Sequence, residues 1–182
     1  MSPRPIGDWL SRVLGVRKPG VRKPTKRIAA HRDDESPTPL TRERVADYLR
    51  SRGYRFLVDD DGDLTGTWDG NRFWFLLLGE HEEILQVRGR WQRQLPLERR
   101  RAVALAVNDW NRERIWPKVY VREEDGLLAL YSEVSADLEE GATDVQIAQL
   151  LACGLGTGVQ MFSSIEGVIP TDAPPPPGTP DN

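Results

Sequence analysis

The sequence predicts an α+β fold, one antiparallel sheet packed with helices in the order α-β-β-β-β-α-β-β-α. Two short loops, Asp69-Gly70 and Glu124-Asp125-Gly126, carry the residues that tight hairpins demand. Runs of alternating apolar and polar residues flank them, as strands require. Between the two strand-rich halves, Leu95–Val121 changes period: Ala102, Val103, Ala106, Val107 and Trp110 recur at 3, 4 and 7 residue spacing, one face of a helix.

Taken in order, the folded domain begins at Leu40. Thr41 can N-cap a helix over Arg42–Arg52, with Leu40 and Val45 at the staple positions and Gly53 as its stop. Tyr54–Val58 reads as a strand, the Asp59–Gly62 run as a turn, and Asp63–Trp68 as the return strand. Arg72–Leu78 follows the Asp69-Gly70 turn. It is apolar on both faces, so it belongs in the middle of the sheet or under a second layer. Ile84–Arg90 sets Ile84, Gln86, Arg88 and Arg90 on one face and Leu85, Val87 and Gly89 on the other. Pro96 introduces the central helix, which runs to Arg114. At about 17 residues and some 25 Å it is long enough to cover a sheet from edge to edge. Pro117 forces its exit into a strand at Lys118–Arg122, and Leu127–Val134 pairs back. Thr143 and Gln146 form a capping box before a last helix. Its stripe of Ile147, Leu150, Leu151, Leu155, Phe162 and Ile165 includes Gly154 and Gly158, which let a neighbouring backbone approach closely.

Outside residues 40–168 the composition changes. Residues 1–39 form a basic arm. Within 1–32 there are nine Lys or Arg against one acid, a local charge of +8, while 33–182 hold 16 against 27, a local charge of −11. In the arm, Ile6, Trp9, Leu10, Val13 and Leu14 give a short amphipathic period, followed by Arg17, Lys18, Arg22 and Lys23. That pattern suits either an arm docking on an anionic surface or a partner groove, or a loosely ordered tail. Residues 169–182 are proline-rich and have no means of packing. One cysteine, Cys153, excludes an internal disulfide framework and fits a reducing compartment. No run of 18 strongly apolar residues and no signal-peptide pattern appears, so a cytoplasmic location without an integral membrane span is expected.

No reactive constellation stands out. The Asp59, Asp60, Asp61, Asp63 cluster lacks calcium-loop spacing, since position 6 is Leu64 and position 12 is Gly70, so a hairpin turn is expected and no metal. His31 lies in the arm and His81 in a strand connection; Cys153 has no histidine near it in sequence. The Gly154–Gly158 run sits inside a helix, without the strand-to-turn context of a nucleotide loop, so no cofactor is expected. Trp74, Trp91 and Trp110 occupy positions suited to a core. Asn108, Trp110 and Asn111 suggest a structural polar contact with the strand entered at Pro117.

The combination of GYRFLVDDDGDL (53–64), GRWQRQLP (89–96), VNDWN (107–111), PKVYVREEDG (117–126) and EEGATDVQIAQLL (139–151) resembles the YbjN-domain family. The resemblance implies the type III secretion chaperone-like fold, an α-β-β-β-α-β-β-α sandwich often found as dimers, over roughly 40–168. It implies a role in bacterial sensory-transduction regulation and brings no catalytic residues.

These observations point to a non-enzymatic protein-binding module, chaperone-like or regulatory. Binding of nucleic acid or anionic membrane through the arm is one alternative, and an enzyme of unassigned activity the other. A homodimer is expected from the last helix, which carries no charge from Val145 to Ile165. Its face opposite the apolar stripe holds Gln146, Gln149, Cys153, Thr157, Gln160 and Ser164. With Trp9, Arg17, Lys18, Arg22 and Lys23 of the arm, Gln146, Gln149, Cys153, Thr157 and Gln160 are the expected partner-binding residues.

Overall fold

Among the described residues, backbone pairing begins at Thr38, which bridges to Ala142. The computed structural model describes residues 36–166. Trp9, Arg17, Lys18, Arg22 and Lys23 and the proline-rich segment lie outside that range. The elements are α1 (Arg42–Ser51), β1 (Leu57–Val58), β2 (Leu64–Trp68), β3 (Asn71–Leu78), β4 (Ile84–Pro96), a 3-10 turn (Leu97–Arg99), α2 (Arg100–Glu113), β5 (Lys118–Glu124), β6 (Leu127–Asp137) and α3 (Asp144–Glu166). The expected order of helices and strands holds throughout. All strand pairs are antiparallel, in the order β1-β2-β3-β4-β6-β5.

Local chemistry accounts for most boundaries. Thr41 accepts a hydrogen bond from the Arg44 N–H, and Gly53 turns the chain out of α1 at φ +69°. Both Asp69-Gly70 and Asp125-Gly126 hold positive φ at two successive residues, the backbone of a type I′ hairpin turn. Thr143 and Gln146 exchange hydrogen bonds of 2.8 and 3.2 Å, closing the capping box of α3. Arg44 ties the entry segment to that helix. Its guanidinium donates to the carbonyls of Thr38, Pro39 and Ala142 and to the Asp144 carboxylate, at 2.6–2.8 Å.

Three expectations need correction. Only Leu57 and Val58 of the Tyr54–Val58 segment pair as a strand; Tyr54 is drawn inward instead, its ring edge-on to Trp68 at 5.6 Å. The fourth strand continues to Pro96, because a register shift between Arg90 and Gln94 absorbs the residues that break its alternation. The central helix does not cover the sheet. α2 lies along β5 with no fully buried residue, Ala102 and Ala106 being exposed and Val103, Val107 and Trp110 half-buried. Its inner face carries small or β-branched residues up to Trp110, too little to displace a helix with larger ones. α3 is that helix: Ile147, Leu151, Leu155, Met161 and Phe162 are buried on the sheet. By length and composition alone α3 meets the measure of a membrane-crossing helix, as a core helix does, and its apolar stripe is spent on this core.

All three helices seat on one side of the sheet. That side presents Phe73, Phe75 and Leu77 of β3, Leu85, Val87, Trp91 and Leu95 of β4, Leu128, Leu130 and Val134 of β6, and Val119 of β5. Burying each such side chain contributes roughly 1.5–3 kcal/mol. A Cβ on Gly154 would stand 2.5 Å from the Val87 Cβ, and one on Gly158 2.8 Å from the Phe73 ring. Gly156, on the outer side of the same helix, has nothing within 4 Å. Opposite signs follow for two like substitutions. Gly154→Ala should lower the melting temperature, overpacking costing about 1–3 kcal/mol. Gly156→Ala should raise it, since alanine exceeds glycine in a helix by about 0.8–1 kcal/mol. Thermal unfolding of the two variants checks both.

Candidate functional site

Strand pleating sends every second side chain to the face that the helices leave bare. From β3 these are Arg72, Trp74 and Leu76; from β4 Gln86, Arg88 and Arg90; from β5 Lys118, Tyr120 and Arg122; from β6 Tyr131 and Glu133. No helix among the described residues covers them. The face is layered instead with its own cations. Arg72 lies 5.0 Å over the Trp74 ring, Arg122 5.8 Å over Tyr131, and Lys118 5.7 Å over Tyr120. Tyr120 and Tyr131 stack with centroids 5.4 Å apart and planes 8° from parallel.

Polar groups divide into a satisfied set and an unsatisfied one. Glu124 accepts two hydrogen bonds from Arg90, at 3.0 and 3.2 Å, and another from the Tyr131 hydroxyl. Partial burial pushes Glu124 up, but the Tyr131 and Arg90 hydrogen bonds and the charges of Arg90 and Arg122 outweigh it, and its pKa lies below the ordinary value. Burial and the bond to Glu124 push Tyr131 up, so it keeps its proton. Burial also raises Tyr120. Arg88 donates from Nη2 to the Gln86 amide oxygen at 2.6 Å, yet its Nε–H is buried without an acceptor among the described residues. Among the described residues, Arg72, Arg88 and Arg122 pair with no carboxylate within 4 Å.

Trp74, Leu76, Arg88, Arg122 and Tyr131 line a hollow of about 180 Å³ rimmed by Asp59, Asp61 and Asp63. The acidic run is a turn. The Asp59 carboxylate accepts the backbone N–H groups of Asp61 and Asp63 at 3.2 and 2.9 Å, and Gly62 takes φ +83°. Burial, then the Asp59 charge, raises the Asp63 pKa. Among the described residues no three His, Cys, Asp or Glu side chains are placed to hold a metal ion. The arrangement can hold planar or proline rings against Trp74 and Tyr131 and give hydrogen bonds to acceptors. It brings no nucleophile and base together.

The residues singled out from the sequence are dispersed. Gln146 and Gln149 are exposed on the outer side of α3, and Cys153 and Gln160 are half-buried beside them. Thr157 does not join them. It is 5% exposed and its hydroxyl donates to the Cys153 carbonyl, because its helical position lies toward the core side between Gly154 and Met161. Burial pushes the Cys153 thiol up, away from the reactive thiolate. Gly154 and Gly158 meet the sheet. The Asn111 amide brackets Val119, donating to its carbonyl at 2.8 Å and accepting from its N–H at 2.9 Å, and the Trp110 indole donates to the Pro117 carbonyl. Asn108 is exposed and takes no part. Trp91 is buried, but Trp74 lies on the bare face rather than in the helix-facing core. Sequence reasoning missed that face as a unit. Its signal was the polar side of β4, obscured by a third strand apolar on both sides.

Residues 41–167 match the YbjN family, described as "Putative bacterial sensory transduction regulator". The chain belongs to the YbjN family. A crystal structure of YbjN, "a putative transcription regulator from E. coli", superposes with a TM-score of 0.61 at 15% identity, covering 75% of this chain and 100% of that one. That likeness shows a shared fold. A HopA1–SchA chaperone–effector complex gives a TM-score of 0.41 at 17% identity, over 69% of this chain and 97% of that one. No curated protein matches the sequence.

Two substitutions probe this geometry. A carboxylate held below its ordinary value contributes stability that is present above that value and lost as pH falls through the folded one. The melting temperature should therefore drop as pH falls below 4.5, the ordinary glutamate value, and Glu124→Gln should flatten the drop. Asn111→Ala strips both groups of Val119 of their partner and should cost about 1–3 kcal/mol per buried group left unpaired, read by denaturant unfolding.

Proposed function

We propose that this protein is a non-enzymatic protein-binding module, chaperone-like or regulatory, acting in the bacterial cytoplasm as a homodimer. The observation that carries the proposal is the bare face of the sheet. It presents the exposed Arg72 and Arg122 over the half-buried Trp74 and Tyr120 and the buried Tyr131, the aromatic and arginine composition that dominates protein interfaces, with guanidinium groups that no carboxylate of the described residues neutralises. The occupant it suits is an extended, proline-containing segment of a partner protein bearing a few carboxylates. Such a segment offers carbonyl acceptors and apolar rings, and few donors. A uniformly anionic polymer suits it less, because Asp59, Asp61 and Asp63 rim the hollow. Membership of the YbjN family supports the regulatory reading, and the lack of a convergent nucleophile and base supports the non-enzymatic one.

The immobilised full-length chain should capture a partner from its host's lysate. Trp74→Ala with Arg122→Ala should reduce that capture at least tenfold at an unchanged melting temperature. Undiminished capture would count against the face, and turnover abolished by a single substitution would defeat the non-enzymatic reading. The homodimer rests on the charge-free outer side of α3, where Gln149 and Ala152 are exposed. Light scattering should give twice the 20.6 kDa chain mass, and Gln149→Arg with Ala152→Arg should return it to one.

A second reading concerns residues 1–32, whose local charge of +8 suits nucleic acid or anionic lipid. Binding to either should weaken steeply with salt and vanish when Arg17, Lys18, Arg22 and Lys23 are replaced by Gln. Binding that survives that replacement would remove the arm from the function.

A further inference from the structure

We infer that the folded domain carries a second binding surface, formed by the outer side of α2 and the bend after it, which rests on an anionic phospholipid membrane. The inference goes beyond the protein-docking reading and uses neither the bare face of the sheet nor the basic arm. Large apolar side chains stand in solvent along this surface: Leu105 is 59% exposed, Ile115 81% and Trp116 47%. They are exposed because α2 lies at the margin of the sheet and buries none of its residues fully. Val103, Val107 and Trp110 form its inner stripe. Arg101, Leu105 and Arg112, spaced 4 and 7 residues apart, fall on the opposite side of the helix and are all exposed.

Charge favours an anionic surface. Residues 97–118 hold six Lys or Arg against three acids, a local charge of +3, whereas the rest of 33–182 holds 10 against 24, a charge of −14. This stretch is therefore a basic exception within an acidic domain. Among the described residues, Arg99 and Arg101 pair with no carboxylate within 4 Å. Arg112 and Arg114 meet Asp109 and Glu113 only in exposed pairs of 3.2–3.7 Å, which contribute little and can be exchanged for lipid phosphate. Each Lys or Arg beside an anionic bilayer raises its partition about fivefold.

Protrusion favours a bilayer over a protein. An isoleucine as exposed as Ile115 stands out from the surface, and a rigid partner would need a matching pocket, whereas lipid yields around it. Tryptophan settles at the headgroup level, and arginine and lysine reach phosphate from beside it. The order Arg114-Ile115-Trp116, with Lys118 just beyond, supplies these groups together. The bend is also held in place, since the Trp110 indole donates to the Pro117 carbonyl at 3.1 Å and Pro117 is buried. α2 lies flat in the interface, its 14 residues spanning about 21 Å, with Leu105 and the bend directed into the acyl boundary.

The test uses the full chain with the nine Lys and Arg of residues 1–32 replaced by Gln, so that the arm supplies no positive side chain. Vesicles are equal parts phosphatidylglycerol and phosphatidylcholine, with phosphatidylcholine alone as the reference. This chain should co-sediment with the anionic vesicles and not with the reference. Leu105→Gln with Arg101→Gln, both exposed positions, should lower that partition at least fivefold at an unchanged melting temperature. Location is read with Cys153→Ser and Ile115→Cys carrying a nitrobenzoxadiazole dye, against the same dye at Asp60→Cys in the turn before β2. On anionic vesicles the dye at 115 should brighten several-fold and shift to the blue, and the dye at 60 should not respond. Failure to co-sediment, equal response of the two dyes, or an undiminished partition of the double variant would overturn the inference. So would brightening at 115 that grows with protein concentration without vesicles, which would assign the surface to a second copy. None of these failures touches the capture experiment on the sheet face or the salt dependence of the native arm.

Discussion

The fold depends on how closely α3 approaches the sheet. Gly154 lets the helix backbone down onto Val87, Gly158 lets it onto Phe73 and Ser132, and Gly89 on the strand beneath leaves room for Phe162. Close-packed interiors do not tolerate an extra methyl at such points without moving one layer. With α3 seated over β3, β4 and β6, the middle of that face is taken. α1 packs beside it, and α2 is left with the margin along β5, where no residue of the helix becomes fully buried. The exposed Leu105 and the half-buried Trp110 are consequences of that displacement.

A sheet that the helices of the described residues cover on one side must manage both its edges and its second face. The β5 edge is closed by side chains rather than by a strand. Asn111 exchanges two hydrogen bonds with Val119 as a neighbouring strand residue would, and Trp110 caps the carbonyl of Pro117. Edge strands left open invite pairing with other chains, and charged residues such as Lys118, Arg122 and Glu123 blunt the rest of this one. At the other edge β1 is only two residues long, the simplest protection available. Edge pairing is thereby discouraged at both ends.

Much of this was legible in the sequence because local chemistry fixes it. Positive-φ turns need Asp-Gly, a capping box needs Thr and Gln three apart, and a period of 2 or 3.6 identifies strand or helix. Two kinds of feature escaped. The first depends on competition between elements: α2 has the amphipathic period of a covering helix, but only packing decides that α3 outranks it. The second depends on long-range assembly. Trp74 reads as core because a third strand apolar on both faces looks doubly covered. That its outer side meets Arg88 and Tyr131 from two other strands is a fact of register, invisible until the strand order is known. Thr157 misled for a related reason, being polar in type yet lying toward the buried arc of its helix, where the Cys153 carbonyl satisfies its hydroxyl.

On the second face of the sheet Tyr131 is buried and Trp74 and Tyr120 are half-buried, and arginines supply part of that cover. Arg72 and Arg122 lie across the rings of Trp74 and Tyr131, covering apolar carbon with the flat side of a guanidinium while keeping its N–H groups in water. Each such contact is worth only about 0.5–1 kcal/mol at an exposed site, so the two guanidinium groups are held loosely. Arg90 behaves differently. Two hydrogen bonds fix it on Glu124, whose other oxygen holds the Tyr131 hydroxyl, so the Tyr131 ring is itself held in place. The same residue type therefore serves as a movable cover at two positions and as a rigid support at a third, and the difference is whether a carboxylate stands within hydrogen-bond reach.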